Sequence, residues 1–459
     1  MGKKTRQNEV SDSKISRRDF MGAAAAVAAF TVVPRHVLGG PRNIPPSEKV
    51  NIAGVGIGGQ GGHDIDQFKN QNIVALCDVD WRHADRTFRR YPNAAKYKDF
   101  REMLDKEDKN IDGVVVGTPD HLHAIVSMAA IKRDKHVYCE KPLTHTVLEA
   151  KMLADAARKH KVATQMGNQG QASEGTRLTC ETIWDGAIGQ VREVHIWTDR
   201  PLNGINKWYW PQGVDRPKGQ DPIPDTLDWD LWLGPAPMRP YVGNRTYNPF
   251  VWRGWWDFGT GALGDIGCHS IDPVFRALKL GYPTSVEACC TLVNDETYPV
   301  ASRVTYEFPA RGELAPVTLH WYDGGMKPPR PPELGDGRRW DTNGALYVGD
   351  KGKMYGGRLL PESRQREYGK PPQKIERSPG HYKEWVIACK GGKPAGSNFP
   401  DHAGLLAQVV LMGNIALRPV LKEKILGTKL LWDAEQFKFT NMPEANQYLT
   451  KEYRQGWSL

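Results

Sequence analysis

Gly56-Ile57-Gly58-Gly59-Gln60-Gly61 decides the fold of this chain. It has the form G-x-G-x-x-G. It follows residues 49–54, where Val50, Ile52 and Ala53 begin an apolar strand pattern. In such a turn the first glycine permits a tight bend and the second lets backbone approach a pyrophosphate. The third lets the next helix pack close to the strand. The helix N-terminus then offers free N–H groups and a positive dipole end to the phosphates. Residues 73–78, Ile-Val-Ala-Leu-Cys-Asp, read as a second strand ending in an acid. Asp78 stands seventeen residues after Gly61, where the acceptor for a ribose 2′-hydroxyl is expected. An acid there favours NAD by repelling the 2′-phosphate of NADP. Arg82 nearby weakens that preference, so NADP stays open.

The alternation continues outward. Residues 112–117 read as a buried parallel strand, and a helix starts near Asp120 with Leu122, Ile125, Val126 and Ala129 at helical spacing. His136-Val-Tyr-Cys139 is a further strand, Thr144 is read as the cap of a helix reaching about His160, and residues 162–166 are another strand. Strand and helix repeating at this pitch define an α/β protein with a doubly wound parallel sheet, a Rossmann domain over residues 48–165. Ligands of such sheets sit at the carboxyl ends of the strands. Three polar clusters fall there: Thr118-Pro119-Asp120-His121-Leu122-His123, Glu140-Lys141-Pro142 and Gln165-Met166-Gly167-Asn168-Gln169. Lys141 stands out. Beside a cationic nicotinamide and an apolar wall, a lysine loses proton affinity and can exchange a proton with substrate. On an open surface it would only pair with Glu140. His121 and His123 read first as helix-start residues.

From residue 166 onward the pattern changes. Residues 173–186 read as one helix. Val304, Tyr306 and Phe308 then alternate with Arg303, Thr305 and Glu307. Val317, Leu319 and Trp321 repeat the alternation, as do Val286, Ala288, Cys290 and Leu292. One buried face per strand implies a largely antiparallel, open sheet in an α+β domain over residues 166–459. The Trp-, Pro- and Gly-rich stretch 201–250 and the Pro-rich stretch 327–334 read as long loops of the kind that form lids or subunit contacts. Asp265 and His269 lie four residues apart, so a helix starting near Gly264 puts them on one face. A carboxylate beside an imidazole can orient it and raise its basicity. A helix-capping Asp and a core His fit the same spacing. Trp252, Arg253, Trp255 and Trp256 lie just upstream, and aromatic faces there suit either a sugar ring or a core.

The chain has 459 residues and a net charge of +9. Seven basic and three acidic residues fall in the first forty, which leaves +5 on the rest. That is too diffuse for nucleic-acid binding. Seven cysteines without a C-x-x-C pair exclude a disulfide framework and a structural zinc site of that type. No metal is expected from the sequence motifs. Ser16-Arg17-Arg18-Asp19-Phe20 precedes an apolar run from Met21 to Val33. This looks like a twin-arginine export signal over residues 1–40. The chain is therefore expected to be periplasmic or to face the periplasm, with the export machinery as a partner. Ala26-Val27-Ala28 lies inside the apolar run, so cleavage and retention as an anchor both stay open.

Taken in order, Gly56-x-Gly58-x-x-Gly61, Asp78, Thr118-Pro119-x-x-x-His123, Glu140-Lys141-Pro142 and Asp265-x-x-x-His269 resemble the Gfo/Idh/MocA oxidoreductase family, over about residues 48–455. Glu140-Lys141-Pro142 is the most specific piece. The resemblance implies that the glycines and Asp78 hold NAD, with Thr118, Pro119, His123, Glu140, Lys141 and Gln169 completing the cofactor set. It implies proton transfer and substrate binding by Lys141, and an Asp265–His269 pair flanking the hydroxyl being oxidised. The expected substrate set is Lys141, Trp252, Arg253, Asp265 and His269. Homodimers or tetramers built on the flat sheet face are implied too.

Three functions follow. One is oxidation of a secondary hydroxyl of a sugar, polyol or glycoside, with a tightly bound, recycled cofactor because free NAD is scarce outside the cytoplasm. Another is redox-neutral glycoside cleavage through transient oxidation at C3. The third is sugar binding without catalysis.

Overall fold

Gly113-Val-Val-Val116 is apolar throughout, and all four residues are buried, as a strand covered on both faces requires. It is the fourth strand of a six-stranded parallel sheet: β1 (Asn51–Val55), β2 (Asn72–Cys77), β3 (Ala95–Tyr97), β4 (Gly113–Val116), β5 (His136–Cys139) and β6 (Thr164–Met166). The spatial order is β3-β2-β1-β4-β5-β6, with every pairing parallel. Strand order reverses between β1 and β4, and the helices Gly59–Gln67 and Asp120–Ile131 diverge from that point. The computed structural model describes residues 48–204, 207–419 and 428–459. The twin-arginine motif and the apolar run after it lie outside the described residues.

The helix Val147–His160 is capped by Thr146 rather than by Thr144. The Thr146 hydroxyl accepts the Glu149 N–H, and the Glu149 carboxylate accepts the Thr146 N–H. This two-way cap outcompetes a cap two residues earlier. The Thr144 hydroxyl instead donates to the Thr146 carbonyl.

The second sheet has nine strands: β7 (Val191–Trp197), β8 (Ser285–Cys290), β9 (Ser302–Phe308), β10 (Val317–Tyr322), β11 (Gly344–Gly349), β12 (Gly352–Tyr355), β13 (Arg358–Leu360), β14 (Leu430–Asp433) and β15 (Lys438–Phe439). Their order is β13-β12-β11-β7-β10-β9-β8-β14-β15. The pairings are antiparallel apart from β7 with β10. In β9 the buried face carries Val304, Tyr306 and Phe308, as the alternation predicts. Leu292 departs from its expected place. It lies beyond the end of β8 and is 83% exposed.

The helix Gly404–Ala416 covers the buried face of this sheet at β8 and β9, and the helix Gly261–Ser270 packs against that helix. The Tyr306 hydroxyl donates to the Val410 carbonyl of the second helix. The tryptophans upstream are mainly core. Trp229 and Trp232 stack at 4.7 Å, Tyr247 stacks on Trp229, Phe258 packs edge-on to Trp232 and to Tyr247, and Trp255 packs edge-on to Tyr247. Trp255 and Trp256 are both buried, which settles their choice between core and open sugar platform. The helix His381–Cys389 returns to the parallel sheet, where Trp385 is fully buried against Phe68 and Tyr138.

Candidate active site

The carboxyl ends of β1, β2, β4 and β5 open on one cavity of about 540 Å³. Gly56 turns the chain out of β1 at φ +73°, and a Cβ there would stand 2.6 Å from the Thr118 nitrogen. A Cβ on Gly61 would collide with the Gly56 carbonyl. The third glycine is thus required for helix–strand contact, and it lies behind the cavity wall rather than on it. Gly58 is the N-cap of the helix Gly59–Gln67, with no side chain capping its first turn. The Asp78 carboxylate accepts the Gly58 N–H at 3.0 Å and the Asp80 N–H at 2.9 Å. Burial raises its pKa to about 6, against the opposing pull of these two donors. An uncapped helix start, a glycine cradle, a buried Thr118 hydroxyl without a partner and an acid at the strand end fit a dinucleotide. Arg82 is exposed and does not line the cavity, whereas His83 does and lies against Gly58.

Across the cavity the chemistry gathers around Asp265. Lys141 Nζ donates to Asp265 Oδ1 at 2.6 Å, and Arg253 Nε donates to the same oxygen at 2.8 Å. Burial would raise the Asp265 pKa, but the two cations overcome it and hold the carboxyl well below the usual range. Arg253 is fixed further by the Phe250 carbonyl and by the faces of Phe250 and Trp252, each 4.2 Å from its guanidinium carbon. His269 lines the same cavity one helical turn beyond Asp265. The carboxylate does not bind the imidazole as the spacing predicts. Two full cations compete for it more strongly than a neutral ring. Burial, and after it the Lys141 charge, lower the His269 pKa to about 4, so the ring is neutral at pH 7.

Glu140 also lines the cavity. Its carboxylate accepts from Gln169 Nε2 at 2.9 Å and from the Lys141 N–H at 3.3 Å. Burial raises its pKa. His123 spans the Thr118 carbonyl at 2.8 Å and the Pro142 carbonyl at 2.7 Å. It thereby ties the turn after β4 to the turn after β5, a positioning role that a helix-start reading did not contain. His121 does the same for the aromatic insert, between the carbonyls of Phe258 and Trp232.

Of the residues expected at the site, Gly56, Gly58, Asp78, Thr118, Pro119, His123, Glu140, Lys141, Gln169, Trp252, Arg253 and His269 all line this cavity. Asp265 stands behind Lys141 and Arg253. Asp120, His83, Trp232, Phe250 and Trp457 also line it, and the sequence did not single them out. Asp120 is the most consequential of these. It is buried, accepts the Thr260 hydroxyl at 2.6 Å, and burial raises its pKa to about 7 despite that bond and the nearby Arg253 and Lys141 cations. An acid in a Thr-Pro-Asp turn at a strand end was the available signal.

A Rossmann sheet whose switch-point cavity also holds a Lys–Asp–Arg cluster and a neutral imidazole defines a nucleotide-dependent enzyme site. Residues 49–168 match the NAD-binding Rossmann fold of an oxidoreductase family, and residues 183–459 match that family's C-terminal α/β domain. The chain belongs to the Gfo/Idh/MocA oxidoreductase family, and NAD is its cofactor. It is 31% identical to inositol 2-dehydrogenase of Salmonella typhimurium over 147 residues, 31% of this chain and 43% of that one. It is 33% identical to levoglucosan dehydrogenase of Pseudarthrobacter phenanthrenivorans over 184 residues, 40% of this chain and 37% of that one. It is 29% identical to a glycosyl hydrolase family 109 protein of Shewanella sp. MR-4 over 206 residues, 39% and 44% of the two chains. The chain thus spans under half the length of these relatives. The WlbA dehydrogenase of Bordetella pertussis, solved with NADH and UDP-GlcNAcA, shares the fold at TM-score 0.56 and 16% identity, over 84% of this chain and 99% of that one.

Proposed function

We propose that this protein oxidises a secondary hydroxyl of a sugar, polyol or glycoside with NAD that stays bound and is returned to its oxidised form in place by hydride transfer to the carbonyl carbon of a second sugar. One observation carries the reading: the glycine turn and Asp78 line the same cavity as Lys141 and His269. Bound NAD would accept hydride from the carbinol carbon. Lys141 keeps N–H donors beyond the one given to Asp265, and they would hold and polarise the substrate oxygen. Asp265 and Arg253 fix the ammonium in place. Neutral His269 takes the hydroxyl proton. Residues 48–165 would hold the nucleotide and residues 166–459 the substrate.

The twin-arginine motif supports export after folding, to the periplasm or to a periplasm-facing anchor, with the nucleotide already loaded. Seven reduced cysteines are consistent with folding before export. Homodimers or tetramers through the open sheet face complete the proposal.

Asp120 favours a second reading. A buried carboxyl with a pKa of about 7 can hold a proton at neutral pH and pass it to a glycosidic oxygen. That is the requirement of redox-neutral glycoside cleavage, and a glycosyl hydrolase is among the relatives.

The deciding experiment denatures the purified protein and identifies the released nucleotide, then supplies sugars, polyols and glycosides without added oxidant. Retained NAD with reduced cofactor accumulating on a free sugar or polyol supports the dehydrogenase. Retained NAD with glycoside cleaved and no net reduction supports the second reading. No nucleotide retained, and none bound on addition, overturns both.

A further inference from the structure

The face of the nine-stranded sheet turned away from the helix Gly404–Ala416 carries a second cluster. β7 and β10 run parallel with His195 opposite His320 and Val194 opposite Leu319. Leu319 also faces Tyr306, whose hydroxyl reaches the helix Gly404–Ala416. The Val194–Leu319–Tyr306 row therefore looks toward the helix Gly404–Ala416. Side chains alternate along a strand, so the row Leu346–His195–His320–Thr305, one residue on, looks the other way.

In that row the two imidazoles stack at 5.0 Å, tilted by 18°. Both turn Nε2 to one carboxylate oxygen. Glu193 Oε1 is 3.2 Å from His195 Nε2 and 3.0 Å from His320 Nε2. One ligand atom from each of the three residues lies within 4.8 Å of the others. The far ring nitrogens are also held. His195 Nδ1 is 3.2 Å from the Tyr322 hydroxyl, and the Thr305 hydroxyl donates to or accepts from His320 Nδ1 at 3.0 Å.

We propose that Glu193, His195 and His320 bind one zinc ion on this face, outside the catalytic cavity. Zinc bonds to imidazole nitrogen and carboxylate oxygen run at about 2.0–2.2 Å, which sets tetrahedral ligand atoms about 3.4 Å apart. The two carboxylate–imidazole separations are already close to that. Two imidazoles with one carboxylate is a zinc-type donor set, harder than a thiolate site and softer than the all-oxygen sets of calcium and magnesium. A hydroxyl beside each remaining ring nitrogen can accept from Nδ1–H, the tautomer that leaves Nε2 free for metal. Three protein ligands leave a fourth position for water. The ion would join β7 to β10, the parallel pairing in an otherwise antiparallel sheet. Parallel pairs are slightly the weaker kind, so the site acts as a pin.

The full-length protein, stripped with chelator and desalted, is titrated with zinc sulfate in competition with a chromophoric chelator. One tight equivalent per chain is expected, with a higher thermal midpoint in zinc. The double variant His195→Gln/His320→Gln loses that equivalent. Tyr322→Phe keeps the ring and removes the hydroxyl, and weakens zinc by about 10-fold. Glu193 is 42% exposed at its side chain, so Glu193→Gln tests the site even where the histidine variant fails to fold. It should weaken zinc by about 10- to 100-fold. No zinc uptake, or equal uptake by wild type and Glu193→Gln, overturns the proposal. The three side chains then share protons only.

Discussion

Asp265 is the residue on which the proposed chemistry turns, although it does not line the cavity. It receives Lys141 and Arg253 on one oxygen and sets where both cations point. Asp265→Asn keeps the shape and removes the charge. It leaves two buried cations uncompensated, a loss of about 3 kcal/mol at pH 7 read as a lower urea midpoint. The sign with pH is fixed by the depressed folded pKa. The carboxylate's contribution is complete above the unfolded value near about 4 and fades as pH falls toward the folded one. The variant should therefore show a flatter acid-side stability curve than the wild type, and an unchanged slope would contradict the pairing. His269 is a separate case. Its ring accepts a proton only while neutral, so kcat/KM for oxidation should decline as pH falls through about 4. His269→Asn should lower kcat by about 10²- to 10⁴-fold, with bound NAD retained. Equal turnover by that variant removes His269 from proton transfer.

At the scale of elements, the loop–helix junction after β1 is the sharpest test, because its contacts are backbone on backbone. A methyl on Gly61 meets the Gly56 carbonyl, with the Gly117 Cα close behind, and neither can rotate away. Gly61→Ala should push the helix Gly59–Gln67 off β1, cost about 1–3 kcal/mol, and release the nucleotide. Chromatography of the denatured variant should find little of it. Retention at wild-type level would mean that the helix start does not carry the phosphates. This junction was legible in the sequence because its glycines and strand pattern are local. The parallel strands and the alternation of β9 and β10 were legible for the same reason. The partner of Asp265 was not. Lys141 lies 124 residues away and Arg253 comes from a 3₁₀ turn, so helical spacing pointed only to His269. Short β3, with three residues and no fully buried position, carries too little pattern to read. The Trp pairs stayed ambiguous because stacking on sugar and packing in a core demand the same side chain.

The whole molecule closes its cavity with its last residues. Lys451 Nζ donates to the His121 carbonyl at 3.2 Å and lies 3.1 Å from His145 Nδ1. The Tyr453 hydroxyl donates to Glu149 at 2.8 Å, and Arg454 Nε donates to the Gly234 carbonyl at 2.9 Å. These bonds lay the segment across the Rossmann helices and the aromatic insert together. Trp457 then reaches the cavity wall beside Phe100, with the Arg101 guanidinium 4.4 Å over its ring. A recycled nucleotide needs slow release, and an aromatic wall anchored at three points supplies a barrier on the side of the cavity lined by Asp78 and Asp99. Trp457→Ala removes the wall and leaves the anchors. Burial of one aromatic side chain is worth about 1.5–3 kcal/mol, or about 10- to 100-fold in affinity. The variant should therefore keep its fold, lose NAD on dialysis, and regain thermal stability when NAD is added in excess. Deleting residues 451–459 should cost more, because the bonds to His121, Glu149 and Gly234 go with the ring. If the point variant and the deletion both retain wild-type nucleotide, the C-terminal segment stabilises the fold without guarding the cofactor.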